Sequence, residues 1–236
     1  MTMVALFPNT QRVKDQTLKT WGSRLSSEDK SRAATLRGDQ RLREFVIART
    51  LLSGLAEEKL GTTVRILSAP HQPPRLKTPA GEIIACSISH SRDAVLVGIN
   101  TEGDIGVDIE SHREKSVDRI VARYFWADGQ AQFSQQSPGT EKAWFYREWC
   151  AREALLKFGG EGNLFGLLAA PLKLPPGTSI QVRQNADLTL AAVQAGSGGL
   201  DFLTAQPGDG LELELTPCGD ELPDVHGAET QAPGPV

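Results

Sequence analysis

Ile105-Gly106-Val107-Asp108-Ile109-Glu110 alternates apolar with non-apolar residues, the period of a strand whose side chains point by turns to opposite faces. Ile105, Val107 and Ile109 make an inner face, while Asp108 and Glu110 share the other, which such alternation leaves to solvent. Two carboxylates two positions apart on a strand stand close enough to hold one small divalent cation. Mg²⁺ in particular favours a few carboxylates together with phosphate oxygens and water. The same pattern also describes the polar side of an ordinary edge strand.

Downstream lies Trp149-Cys150-Ala151-Arg152-Glu153-Ala154-Leu155-Leu156-Lys157, within a stretch rich in Ala, Leu, Arg, Glu and Lys. This predicts a helix from about Glu141 to Phe158, stopped by Gly159-Gly160. Glu153 and Lys157 are then one turn apart on one side. Alone they describe an i,i+4 surface ion pair. Beside Asp108 and Glu110 they supply a third carboxylate and an ammonium able to neutralise phosphate charge.

Working outward, Met3 to Phe7 reads as a strand and Asp15 to Leu25 as a helix, and Ser26, ahead of Glu28 and Asp29, caps another. Asp39 opens a longer helix whose apolar stripe (Leu42, Phe45, Val46, Leu52, Leu55, Leu60) ends before Gly61. Arg49 falls at the border of that stripe, a place for a snorkelling arginine. Thr62 to Leu67 predicts a strand, and Pro70 to Leu76 a proline-stiffened loop carrying Arg75. Ile83 to Ser89 and Ala94 to Ile99 predict a hairpin around Ser87-Ile88-Ser89-His90-Ser91. Such a turn is either a polar tip or a cradle of hydroxyls and imidazole for phosphate or ribose oxygens. Ser111 to Lys115 links two halves. Short helices follow at Val117 to Phe125 and Gln130 to Gln136, and strands at Ser179 to Arg183, Leu188 to Val193, Leu200 to Thr204 and Leu211 to Leu215.

The 236 residues, 39% hydrophobic and 23% charged, suffice to bury a sizeable core in one large or two small domains. A net charge of −4 and the lack of a basic stripe argue against a nucleic-acid partner. Cys86, Cys150 and Cys218 are odd in number and widely spaced, so they suggest neither a disulfide framework nor a zinc site. No apolar run approaches the about 18 residues of a membrane span, and no basic, apolar leader opens the chain. The expectation is a cytoplasmic protein without a membrane partner.

The motifs G-V-D-I-E and W-x-x-[KR]-E-A-x-x-K, with S-I-S-H-S ahead of them, together resemble the signature of the 4′-phosphopantetheinyl transferases, in their larger, pseudo-dimeric, surfactin-synthetase-activating type. The resemblance implies an α+β fold of two similar α/β halves in a pseudo-twofold arrangement with the coenzyme cleft between them. The halves are expected at residues 1–112 and 113–222, followed by a disordered tail at 223–236 that has little to bury. It implies Mg²⁺-dependent transfer of 4′-phosphopantetheine from coenzyme A to a serine of an acyl or peptidyl carrier protein, in fatty acid, polyketide or nonribosomal peptide biosynthesis, with adenosine 3′,5′-bisphosphate released. Asp108, Glu110 and Glu153 become metal ligands, and Glu153 and Lys157 catalytic residues. Arg49, Arg75, Ser89, His90, Asp108 and Lys157 become the coenzyme contacts. A chain that builds its own two-lobed cleft is expected to be a monomer.

Two departures stand out. Lys157 is followed by Phe-Gly-Gly-Glu-Gly-Asn-Leu164 where the family often has K-x-x-G-x-G-L, and Arg152 stands where lysine is usual. Exchange of one cation for the other is expected to be tolerated unless a bidentate contact is involved. The competing readings are a coenzyme-A-binding protein that has lost transfer and a metal-dependent phosphoesterase directing the same acids at water.

Overall fold

The stripe opened by Asp39 forms helix α3 (Asp39–Leu60), closed by Gly61 in the left-handed region at φ 65°. The computed structural model describes residues 1–68, 73–113, 116–159, 162–208, 212–219 and 221–223. Expectations on Pro70 to Gln72, Lys115, Gly160, Leu211 and the tail beyond Pro223 lie outside them.

Two helix-on-sheet units stack sheet to sheet. The first sheet has the order β10-β9-β1-β5-β4-β3-β2. Its strands are β1 (Thr2–Phe7), β2 (Arg65–Leu67), β3 (Arg75–Lys77), β4 (Ile83–Ser91), β5 (Ala94–Asn100), β9 (Leu200–Pro207) and β10 (Leu213–Pro217). All neighbours are antiparallel except β1 and β9, which run parallel. The second sheet, β6-β8-β7, joins β6 (Ile105–Ser111), β8 (Leu188–Ala195) and β7 (Thr178–Gln184), all antiparallel.

Helix α3 covers the first sheet by seating Ile47, Leu51 and Leu55 against Met3, Val95, Val97 and Ile99. Helix α6 (Glu141–Gly159) covers the second through Cys150, Ala154 and Leu155 against Ala191 and Val193. Between the sheets, Val4, Leu6 and Leu96 meet Ile105, Val107, Ile109, Leu190 and Ala192. Each such Val, Leu or Ile side chain, fully buried, contributes about 1.5–3 kcal/mol. This α+β architecture, with one long helix on each of two facing sheets, is the one expected for pseudo-twofold halves. A satellite of aromatics, including Phe125, Phe145 and Tyr146, lies among α4 (Asp118–Tyr124), α5 (Ala127–Ser134), α6 and α7 (Leu164–Leu168). The predicted cap is present: Asp29 N donates to Ser26 Oγ at 3.1 Å, opening α2 (Ser27–Ala33). Helix α1 spans Asp15–Ser23. No helix is long and apolar enough to cross a membrane among the described residues.

Four details differ from expectation. Strand β6 has no solvated face, because the sheet covers one side and α6 the other. S-I-S-H-S runs along β4, and the turn falls after it at Arg92, with φ 49°. Arg75 sits on the short strand β3, inside the stretch expected as loop. On α3, Leu42 is exposed while Glu44 is buried, its carboxylate met by Gln40 and His90.

Candidate active site

Gly106 decides how closely β6 and α6 approach. A Cβ there would overlap the Ala154 carbonyl oxygen and the Phe158 nitrogen, backbone atoms that cannot give way. With that contact made, the acids of β6 and the polar residues of α6 converge. Asp108, Glu110 and Glu153 each offer an oxygen within 4.8 Å of the others.

Asp108 is 1% exposed. Its Oδ1 accepts from Lys157 Nζ at 2.6 Å and from Ser89 Oγ at 2.8 Å, and Lys157 also donates to Ser89 Oγ at 2.8 Å. Lys157 therefore reaches across to β6, and a surface pair along α6 does not account for it. Asp108 Oδ2 is buried without a hydrogen-bond partner. An orphaned carboxylate oxygen is costly to bury, and here it lies among two further carboxylates. Glu153 shows the strain: burial first, and the charge of Asp108 second, push its carboxyl from 4.5 up to about 7, while Lys157 pulls it back. A set made only of hard oxygen donors, with one buried oxygen unsatisfied, fits a divalent cation such as Mg²⁺. The neighbouring Cys150 is unsuited to nucleophilic chemistry, since burial holds its thiol well above the usual range.

The remaining predicted contacts lie apart from this cluster. Arg49 is buried, bonded to Asp29 Oδ1 at 3.1 Å and Ser68 Oγ at 2.9 Å and stacked 4.8 Å over Phe45, with Nη1 unpartnered. It is thus no snorkelling side chain. It borders a cavity of about 1140 Å³ that Trp21, Glu57, Arg65 and Leu213 also line and none of the three acids does. Arg75 pairs with Asp104 at 2.7 Å. His90 is exposed, and its Nδ1 lies 3.2 Å from Oε2 of the buried Glu44.

Periodicity gave no signal for some of the residues around the site. Glu44 interrupts an apolar stripe, and His112 falls in the expected linker. There its ring stacks on Tyr146 at 4.5 Å, with Nδ1 2.8 Å from Ala186 O and Nε2 2.7 Å from Thr189 Oγ1. Arg152 is fully buried. Its guanidinium donates to Leu167 O at 2.9 Å, Glu148 O at 3.1 Å and Ala170 O at 3.1 Å, and lies 4.6 Å over Trp126.

Residues 104–206, which hold all three acids and Lys157, match the profile of the 4′-phosphopantetheinyl transferase superfamily. Among curated proteins, the chain is 30% identical over 147 residues to a putative 4′-phosphopantetheinyl transferase of Synechocystis, covering 61% of this chain and 60% of the relative. It is 34% identical over 147 residues to the 4′-phosphopantetheinyl transferase psf-1 of Bacillus pumilus, covering 58% and 59%. To the 4′-phosphopantetheinyl transferase AcpT of Salmonella typhi it is 30% identical over 113 residues, covering 48% and 58%. The chain thus spans about six-tenths of the length of the curated relatives it matches. Residues 104–206, with the acid cluster they carry, are thus similar to the 4′-phosphopantetheinyl transferase superfamily.

Proposed function

We propose that the chain transfers the 4′-phosphopantetheine group of coenzyme A to a serine hydroxyl of an acyl or peptidyl carrier protein and releases adenosine 3′,5′-bisphosphate. The observation that supports this most is the convergence of Asp108, Glu110 and Glu153 beside Lys157 inside the segment that matches the family. In the reaction the serine oxygen forms a bond to the phosphorus bearing pantetheine, and the bond from that phosphorus to the bridging oxygen of the diphosphate breaks.

Asp108, Glu110 and Glu153 would hold Mg²⁺, which when bound neutralises and orients diphosphate oxygens. Lys157, already at the edge of the cluster, supplies a fixed positive charge for the leaving phosphate. The serine proton needs an acceptor of near-neutral basicity. Glu153, at the edge of the cluster, is the nearest candidate, with Glu110 as the alternative. Ser89 steadies Asp108 and Lys157 where the diphosphate would enter. Arg49, Arg75 and His90 serve the nucleotide end, where cations suit the 3′-phosphate.

The test is incubation with coenzyme A and Mg²⁺, with and without an apo carrier protein, read by the mass of the carrier. Addition of one phosphopantetheine group to the carrier serine is the expected result. An unmodified carrier beside intact coenzyme A sinks the proposal, and cleavage of coenzyme A without carrier points to a phosphoesterase instead.

A further inference from the structure

Strand β6 pairs with β8 along one edge only, and its other edge faces β4. There, backbone N–H groups that would otherwise be orphaned meet side chains instead of a neighbouring strand. Val107 N donates to Ser87 Oγ at 3.0 Å, and Ser111 N donates to Ser91 Oγ at 3.1 Å. Ser87, Ser89 and Ser91 stand at every second position of β4 and so point the same way. They form a comb of hydroxyls laid along β6. Two of its teeth also hold acids: Ser89 Oγ donates to Asp108 Oδ1 at 2.8 Å, and Ser91 Oγ donates to Glu110 Oε2 at 2.9 Å. Ser111 Oγ returns a bond to the Ser91 carbonyl at 3.2 Å.

We propose that Ser91 is a positioning residue for the cation site, setting Glu110 in its ligating orientation before a cation arrives. The proposal rests on the reading of Asp108, Glu110 and Glu153 as that site. The chemistry of the hydroxyl carries it. A serine has one hydrogen to give and lone pairs to receive. Ser91, which is 6% exposed, spends its hydrogen on Glu110 and receives from Ser111 N. One oxygen of a three-torsion side chain is thereby tied to the same short stretch of backbone that carries it. The rotamer freedom of Glu110 is lost on folding, not on binding. Ser87 makes the same kind of backbone bond without touching an acid, so it separates stitching of the sheets from positioning of a ligand.

The experiment titrates the full chain with Mn²⁺ alone, which takes oxygen-donor sites of the same kind, and follows free Mn²⁺ by electron paramagnetic resonance. Urea midpoints are recorded alongside. Ser91→Ala is expected to weaken binding by about tenfold or more, the usual cost of losing a partner behind a metal ligand. Ser91→Cys fills the same space with a poor hydrogen-bonding group, and it should weaken binding too if Ala alone disturbs folding. Ser87→Ala should lower the urea midpoint but leave Mn²⁺ affinity unchanged. Wild-type affinity in both Ser91 variants overturns the assignment, as does an equal loss of affinity in Ser87→Ala. Absence of Mn²⁺ binding by the wild-type chain sinks the cation reading itself and this assignment with it.

Discussion

At the scale of the residue, Asp108 both shapes the reactive cluster and holds the fold. Its Oδ1 is shared by Lys157 and Ser89 in a place closed to water. A strand with a solvated face would predict that Asp108→Ala costs activity alone. The buried carboxylate predicts loss of transfer together with about 1.5–3 kcal/mol of stability, the worth of hydrogen bonds to a charged group. Urea unfolding checks this, and an unchanged midpoint would contradict the buried pairing. Glu153 adds a dependence on pH. Folded, its carboxyl keeps its proton to about 7, whereas the unfolded chain releases it near 4.5. The native state thus binds the extra proton in that window, and the stability of the metal-free protein should fall as pH rises through it. Below the window the contribution is complete, and above it is gone. Melting curves in chelator from about pH 5 to about pH 8 should show the decline, and Glu153→Gln should flatten it. Equal slopes in the two proteins would remove Glu153 as the cause.

At the scale of the element, the contact of β6 with α6 hangs on one missing side chain. Gly106→Ala drives a methyl into the backbone of α6, and we expect it to cost about 3 kcal/mol or more or to prevent soluble expression. A crystal of the variant with α6 undisplaced would refute that reading. On the opposite side of α6, Arg152 joins α7 and the chain after it to the helix through the Leu167 and Ala170 carbonyl oxygens, while it also donates to the carbonyl and carboxylate of Glu148. An ammonium cannot span them, so Arg152→Lys should lower the melting temperature clearly. An unchanged melting temperature would restore the expectation that either cation serves. Much of this level was legible in the sequence, because caps and periods are local: Ser26, Asp39 and Gly61 mark helix ends, and Ile105, Val107 and Ile109 mark a strand face. What covers the second face of β6 was not legible, since alternation records polarity and not a partner. The serines of β4 looked like a turn for the same reason, their acceptors and donors lying on another strand. Helix α7, five residues long, is too short to show a period.

At the scale of the whole molecule, the chain exchanges strands between its two units. β6 leaves the first part of the sequence to pair with β8, while β9 and β10 return to extend the first sheet beside β1. Fragments 1–112 and 113–236 made separately should therefore not fold: the first lacks β9 and β10, and the second lacks the strand on which α6 rests. Cooperative urea unfolding of either fragment would overturn this. The grip on β6, by serine hydroxyls on one side and helix backbone on the other, also ties the acid cluster to both units. The two units cannot part like jaws around the acids without tearing out the bonds that set those acids. If a diphosphate and a protein acceptor bind as proposed, they meet the acids from the rim, above a floor that these bonds hold in place.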